Sequence, residues 1–261
     1  MDELGRGQDH VAYLTDGNTV VRVASGPDAR PRIEREARLL AFVAELTELP
    51  VPRPTAVDPE AGSLSYERLP GVPLIELGED VRKRAAGPVA GELGGLLRTL
   101  HAIDPEQVRD LVEVDNQPLD GWLADAAREC EVAAAAIPER HRSAVDQFLA
   151  APPPPRGEEL VFSHNDLGIE HVLVDPASLA VTGIIDWSDA AICDPAYDFG
   201  LILRDLGEDA LAAARAAYGA ELGERVRFYA RCALLEDLAY GITTGRELYA
   251  AKSLDAFDWL F

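Results

Sequence analysis

Val161-Phe-Ser-His-Asn-Asp-Leu-Gly-Ile-Glu-His-Val-Leu-Val-Asp175 and, a short turn later, Val181-Thr-Gly-Ile-Ile-Asp-Trp187 decide how the chain folds. An apolar pair leads into His164-Asn165-Asp166, and Val172 to Val174 is a run of β-favouring residues that predicts a buried strand. Asp175-Pro176-Ala177-Ser178 carries turn chemistry, so Val181 to Ile185 is expected as the returning strand of an antiparallel hairpin. With the turn centred near residues 177 and 178, His171 falls opposite Asp186, and Asp166 sits just before the same end. Two carboxylates and an imidazole are therefore expected at one mouth.

This order matches the protein-kinase signature, in which a His-x-Asp is followed five residues after the Asp by a metal-binding Asn, and later by a metal-binding Asp. Together with Asp194-Pro-Ala-Tyr-Asp-Phe199, the stretch resembles the aminoglycoside phosphotransferase family of small-molecule kinases, whose pattern runs His-Gly-Asp, Asn, Ile-Asp-Trp and Asp-Pro-x-x-Asp. The resemblance implies an α+β, protein-kinase-like two-lobe fold, with an N-terminal antiparallel sheet lobe and a larger, mainly helical C-terminal lobe. It also implies Asp166 as catalytic base, His171 and Asp186 at the metal positions, Asp198 as a brace behind the catalytic loop, and His164 as a structural residue of that loop. The chain departs from the pattern twice. Asn165 stands for the usual Gly and His171 for the usual Asn, the second a variation associated with macrolide kinases and with relatives acting on peptide antibiotics.

Bulk properties narrow the function classes. With 48% hydrophobic and 27% charged residues, the 261-residue chain has the composition of a soluble enzyme with ample core. Cys130, Cys193 and Cys232 are an odd number without C-x-x-C spacing, which speaks against a disulfide framework or a zinc site. No basic start precedes an apolar run, and no stretch approaches the ~18 apolar residues of a membrane span, so a cytoplasmic protein without a membrane partner is expected. A net charge of −22 argues against nucleic acid and favours cationic partners.

From the N-terminus, Leu4-Gly5-Arg6-Gly7-Gln8-Asp9 reads as a glycine-containing loop feeding a strand with Val11 and Tyr13 on one face. Asp16-Gly17-Asn18 turns it into Thr19-Val20-Val21-Arg22-Val23. In kinases such a hairpin covers the nucleotide phosphates. Arg22 lies where the kinase strand carries its phosphate-binding Lys, and no lysine precedes Lys83. Ile33-Glu34-Arg35-Glu36 opens a helix with apolar positions at 33, 37, 40 and 43, leaving Glu36 off that stripe. The resemblance pairs Glu36 with the Arg22 cation. After a proline-rich connector, Tyr66-Glu67-Arg68-Leu69-Pro70-Gly71 resembles the last strand and hinge, whose backbone at Glu67, Arg68 and Leu69 would hold the nucleotide base. The implied domains are a nucleotide-binding lobe at 1–70, with the hinge near 66–71, and a catalytic and substrate-binding lobe at 71–261.

Helices are expected over Asp80 to Leu100, through 106–150, and over Leu201 to Leu206, Asp209 to Tyr218, Glu224 to Tyr240 and Arg246 to Tyr249. Asp205, Glu208 and Asp209, with Glu236, Asp237 and Tyr240, form the expected acceptor surface, where a cation could meet carboxylates and an aromatic ring. The implied activity is transfer of the γ-phosphoryl group of ATP or GTP, with Mg²⁺, to a hydroxyl of a small cationic antibiotic, whether an aminoglycoside, a macrolide or a basic peptide. A small-metabolite kinase for a choline-like or amino-sugar acceptor would carry the same motifs. A catalytically weak nucleotide-binding protein is the other alternative, because Mg²⁺ prefers oxygen to the imidazole of His171.

Overall fold

The computed structural model describes residues 2–6, 10–15, 17–157 and 159–261. The expected glycine loop at Gly7 to Asp9 and the turn residue Asp16 lie outside them. The architecture is α+β. Strands β1 (Asp2–Arg6), β2 (His10–Thr15) and β3 (Thr19–Ala24) precede helix α1 (Ala29–Leu46), and β4 (Pro54–Asp58) and β5 (Ser63–Glu67) follow it. They form a five-stranded antiparallel sheet in the order β1-β2-β3-β5-β4.

Two of these strands extend what the sequence suggested. β1 pairs along β2, from Asp2 opposite Leu14 to Arg6 opposite Val11, over residues expected as loop. β4 is an edge strand that begins at Pro54, a first position where the missing N–H costs little. In β3 the period of two turns Val20, Arg22 and Ala24 inward, so the arginine shares a face with core residues. Helix α1 lays Ile33, Glu36, Leu39, Leu40, Val43 and Ala44 on the sheet. Glu36 thus belongs to the buried stripe rather than lying beside it, because the Arg22 cation beneath supplies the partner that a buried carboxylate requires.

Across the chain's next segment come β6 (Val72–Pro73), α2 (Glu79–His101), β7 (Glu113–Val114), α3 (Leu119–Ala133), α4 (Glu139–Ala150), β8 (Val161–Ser163), β9 (Val172–Val174), β10 (Val181–Ile184) and β11 (Ala191–Cys193). Four helices complete it: α5 (Ala196–Leu206), α6 (Glu208–Tyr218), α7 (Arg225–Thr244) and α8 (Glu247–Leu260). The stretch expected as helical through 106–150 is interrupted by β7 and by turns before α3 and α4. Helix α7 buries residues on every side, including Phe228, Tyr229, Cys232, Leu234, Leu235 and Leu238. It forms the axis against which α3, α5 and α8 pack.

Two small sheets, ordered β10-β9-β6 and β7-β11-β8, carry the motif-bearing stretch on the helical lobe. The chain crosses into this lobe between β5 and β6, where Gly71 has φ +97° and a Cβ would lie 2.2 Å from Thr182 Oγ1 and 2.6 Å from the Val174 carbonyl oxygen. Only glycine allows the connection to press so closely onto the hairpin of β9 and β10. Thr182 Oγ1 donates to the Pro70 carbonyl at 2.7 Å and fastens the same junction.

Candidate active site

The hairpin of β9 and β10 has a register one step from the expected one. Val181 lies opposite Val174, but Gly183 lies opposite Leu173 and Ile184 opposite Val172, so a bulge at Thr182 absorbs one residue. The Ile185 amide donates to the His171 carbonyl at 3.0 Å, which places Ile185 rather than Asp186 opposite His171. Asp186 is the first residue past the ladder, in a left-handed conformation with φ 60° and ψ 65°. That turn brings its carboxylate back over the hairpin end, with Oδ2 3.8 Å from His171 Nε2. The other imidazole nitrogen, Nδ1, lies 2.8 Å from the Asp166 carbonyl oxygen and 3.3 Å from Asp166 Oδ2. His171 therefore bridges the two carboxylates at the mouth.

Behind this mouth the loop backbone hangs on one buried carboxylate. Asp198, near the start of α5, accepts from the Asn165 amide at 2.9 Å, from the Leu167 amide at 3.1 Å and from Ser163 Oγ. Since the Ser163 hydrogen goes to Asp198, His101 Nε2 must donate to Ser163 Oγ at 3.0 Å, and its Nδ1 accepts from Tyr218 Oη at 3.0 Å. Asn165 has φ 61°, a conformation natural to glycine, and asparagine is among the L-residues that tolerate it best. His164 is fully buried against Trp187, with ring centroids 4.6 Å apart, and its Nε2 lies 3.0 Å from the Ile185 carbonyl oxygen. It packs the loop from behind, its ring stacked 6.3 Å from that of His171.

From the opposite lobe, Arg22 Nε lies 3.0 Å from Glu36 Oε1 and Nη1 lies 3.1 Å from Asp186 Oδ1. One guanidinium thus joins the sheet, α1 and the catalytic hairpin. At the hinge, the Arg68 amide donates to the Asn18 carbonyl at 2.7 Å, and the Glu67 carboxylate accepts from Asn18 Nδ2 at 2.8 Å. The Arg68 amide is thereby spent inside the protein, and of the expected base-binding segment the backbone of Glu67 and Leu69 is what remains for a nucleotide.

Charge at the mouth is set by burial and by these neighbours. Burial raises the Asp166 carboxyl well above the usual range; His171 opposes the shift, and Glu170, Asp189 and Asp186 add to it. For His171, burial would lower the imidazole, but Asp166, Glu170 and Asp186 outweigh it and raise it to about 9, so it is a cation at neutral pH. Burial would raise Asp186, yet Arg22 and His171 hold it well below the carboxylate range. The donor set suits a hard divalent cation. Asp186 Oδ1 is occupied by Arg22 and Ser188, whereas Oδ2 faces His171 and is the oxygen open to a metal. Asp166, Glu170 and His171 also bring one ligand atom each within 4.8 Å of one another.

The acceptor residues expected from sequence are only partly available. Asp205 and Asp237 face inward onto Arg204 and Lys252, and the Asp205 side chain is 1% exposed. A carboxylate neutralised in this way cannot also hold a ligand's ammonium group. Glu208 is paired with Arg227, and Asp209 sits in the first turn of α6, where a negative charge complements the helix dipole. Glu236 and Tyr240 stay exposed; the Tyr240 ring packs edge-on to Tyr249 at 5.2 Å, with the Arg246 guanidinium 5.5 Å from its centroid. A cavity beside the catalytic loop is lined instead by Asp115, Trp122, Asn165, Asp194, Tyr197 and Tyr229. Trp122 and Tyr197 have ring centroids 5.1 Å apart, and Asn165 Nδ2 lies 3.4 Å from Asp115 Oδ2. Tyr197 stands within the Asp-Pro-x-x-Asp motif, so its position was signalled; the direction of its side chain was not.

Comparison with known proteins accords with this geometry. Residues 2–235 match the phosphotransferase enzyme family. The chain is 29% identical over 216 residues to an aminoglycoside 3'-phosphotransferase of Streptomyces fradiae, covering 74% of this chain and 78% of that protein. A streptomycin 3''-kinase of Streptomyces griseus is 27% identical over 227 residues, covering 76% and 78% of the two chains. Among solved structures, the GDP and kanamycin complex of APH(2'')-IIia superposes with a TM-score of 0.71 at 22% identity, covering 98% of this chain and 91% of that one. This likeness extends to both lobes, and with it the kinase-like fold is shared from end to end. The chain belongs to the phosphotransferase enzyme family and is a phosphotransferase with an alcohol group as acceptor.

Proposed function

We propose that this enzyme transfers the γ-phosphoryl group of ATP or GTP to a hydroxyl of a small cationic antibiotic, an aminoglycoside in the first instance, and so inactivates it. The observation that carries this reading is the chain of contacts from Glu36 through Arg22, Asp186 and His171 to Asp166. Phosphoryl transfer requires a cation on the donor phosphates, a divalent metal site and a carboxylate for the acceptor hydroxyl, all within reach of one another. In this reading Arg22, held by Glu36, meets the phosphates; Asp186 would hold Mg²⁺ through Oδ2, with His171 joining it as a ligand only in its neutral form; and Asp166 orients the hydroxyl and accepts its proton. When bound, Mg²⁺ neutralises phosphate charge. The hinge at 66–71 divides a nucleotide lobe at 1–70 from a catalytic lobe at 71–261, and the backbone of Glu67 and Leu69 receives the base.

The acceptor is assigned to the cleft beside Asn165, with Trp122 and Tyr197 offering ring faces and Asp115 and Glu236 offering charge. Support comes from the relatives named for aminoglycoside and streptomycin phosphorylation and from the −22 net charge. The test is incubation with ATP or GTP, Mg²⁺ and, in turn, kanamycin, streptomycin, a macrolide and a cyclic basic peptide, with products read by mass. A singly phosphorylated aminoglycoside is expected. Phosphorylation of none of them, with a choline-like or amino-sugar alcohol turned over instead, would replace the reading by that of a metabolite kinase.

A further inference from the structure

Five charged side chains that the catalytic scheme does not use are packed together directly behind His171. Lys252, from α8, has its side chain 2% exposed and places Nζ 2.7 Å from Glu170 Oε2, 3.1 Å from Asp205 Oδ1 and 2.9 Å from Asp237 Oδ2. Arg204 approaches Asp205 Oδ1 at 2.7 Å with Nε and Asp237 Oδ2 at 2.9 Å with Nη1; its Nη2 stands 3.8 Å from Glu170 Oε1. Three carboxylates thus share two cations, a net charge of −1. The cluster reaches the catalytic loop by two routes. Asp205 Oδ2 accepts from the Ile169 amide at 3.1 Å, and Glu170 is the residue immediately before His171.

Glu170 is the member whose freedom would matter. Its carboxylate lies within 4.8 Å of ligand atoms of both Asp166 and His171, so it stands beside Asp166 as a second acceptor for the same imidazole. Gly168 makes room for it, since a Cβ there would lie 2.6 Å from Glu170 Oε1. Held by Lys252, the carboxylate is oriented toward α8. Released, it would be a buried anion left with Arg204 Nη2 at 3.8 Å and, on its other side, the His171 ring, and a buried charge that has lost its closest partner seeks another strongly. Lys252 lies beyond residue 235, where the family match ends.

We propose that Lys252 is a positioning residue for phosphoryl transfer: by holding Glu170 on α8, it keeps His171 between Asp166 and Asp186. The C-terminal helix is in this way part of the frame of the active site. The proposal rests on the kinase reading, and its test contains a readout independent of any acceptor.

Lys252→Met lowers the cluster's net charge to −2, and adding Glu170→Gln returns it to −1 while removing the competing carboxylate. With kanamycin and Mg²⁺-nucleotide, Lys252→Met should lose at least about 30-fold in kcat with nucleotide KM within about threefold of the parent. Lys252→Arg should keep most of the activity, and Lys252→Met/Glu170→Gln should regain at least about tenfold over Lys252→Met. These magnitudes are those of a misplaced catalytic group. The imidazole resonances of His171, assigned by their loss in His171→Asn, should shift in Lys252→Met and return in the double variant whether or not any acceptor is turned over. Loss of turnover in the parent with this spectral pattern intact would count against the kinase reading alone. An unshifted His171 signal in Lys252→Met, or a folded double variant no better than Lys252→Met in both readouts, would overturn the positioning role. If Lys252→Met does not fold, a folded double variant lacking the parental His171 signal has the same force.

Discussion

Arg22 and Asp186 are 164 positions apart in the chain, yet Nη1 of one lies 3.1 Å from Oδ1 of the other, and this ion pair spans the two lobes. The same guanidinium meets Glu36, so one buried cation serves two carboxylates. Arg22→Met should leave Glu36 buried and unpaired, at a cost of about 3–5 kcal/mol. Urea unfolding measures that loss, and Arg22→Met/Glu36→Leu should recover a large part of it. Nucleotide KM should rise in both variants. An unchanged KM in a folded double variant would remove Arg22 from the phosphate site.

Asp166 and Asp186 are assigned different work, and their substitutions should differ accordingly. Asp166→Asn retains shape and hydrogen bonding but cannot take a proton, so kcat should fall about 10²- to 10⁴-fold with little change in nucleotide KM. Asp186→Asn removes the charge at the open oxygen Oδ2, and its kcat should recover in part at high Mg²⁺ concentration. Steady-state kinetics over a Mg²⁺ series separates the two. If Asp166→Asn instead responded to Mg²⁺ while Asp186→Asn did not, the roles would be exchanged.

How much of this was legible depended on whether a residue's partner is near it in sequence. The hairpin and its polar mouth follow from the strand pattern and turn chemistry, whereas the pairing of Arg22 with Glu36 was implied by the family resemblance, with Glu36 expected beside the apolar stripe rather than in it. The register of His171 did not follow, because a bulge at Thr182 leaves no sequence mark beyond a Thr-Gly pair. The acceptor residues were misjudged for a plainer reason. Asp205 and Asp237 look like solvated charges on helices until Lys252 folds back on them from 47 and 15 positions away. A run of acids in sequence records charge, whereas only the packing of α5, α7 and α8 records where that charge is neutralised.

Asn165 offers a direct test of the loop backbone. Its φ of 61° is free for glycine and strained for alanine, so Asn165→Ala should destabilise the protein by about 1 kcal/mol or more, and Asn165→Gly should change stability little. Since Asn165 Nδ2 also faces Asp115 in the proposed acceptor cleft, Asn165→Gly should raise the acceptor KM while leaving nucleotide KM alone. Parental kinetics for both substrates in Asn165→Gly would reduce the residue to a backbone role.

The part of the stability of the metal-free, nucleotide-free protein that histidines contribute should be greatest near pH 6.5 and fall on both sides. His171 is raised to about 9 by Asp166, Glu170 and Asp186 against an unfolded value of about 6.5, so its contribution is fully present below 6.5 and is lost as pH rises toward 9. His101 and His164 are lowered to about 4 by burial, so the folded state resists protonation that the unfolded chain accepts. Their contribution is present above 6.5 and is lost as pH falls toward 4. Each histidine supplies a slope approaching about 1 kcal/mol per pH unit within its window. Chemical unfolding between pH 5 and 9 in the presence of chelator should therefore show this histidine dome, whose alkaline limb flattens in His171→Asn and whose acid limb flattens in His101→Gln. Gln retains one donor and one acceptor for Ser163 and Tyr218, which makes loss of the acid limb separable from loss of the fold. If the alkaline limb persisted unchanged in His171→Asn, the imidazolium bridge between Asp166 and Asp186 would not be what stabilises the mouth of the site.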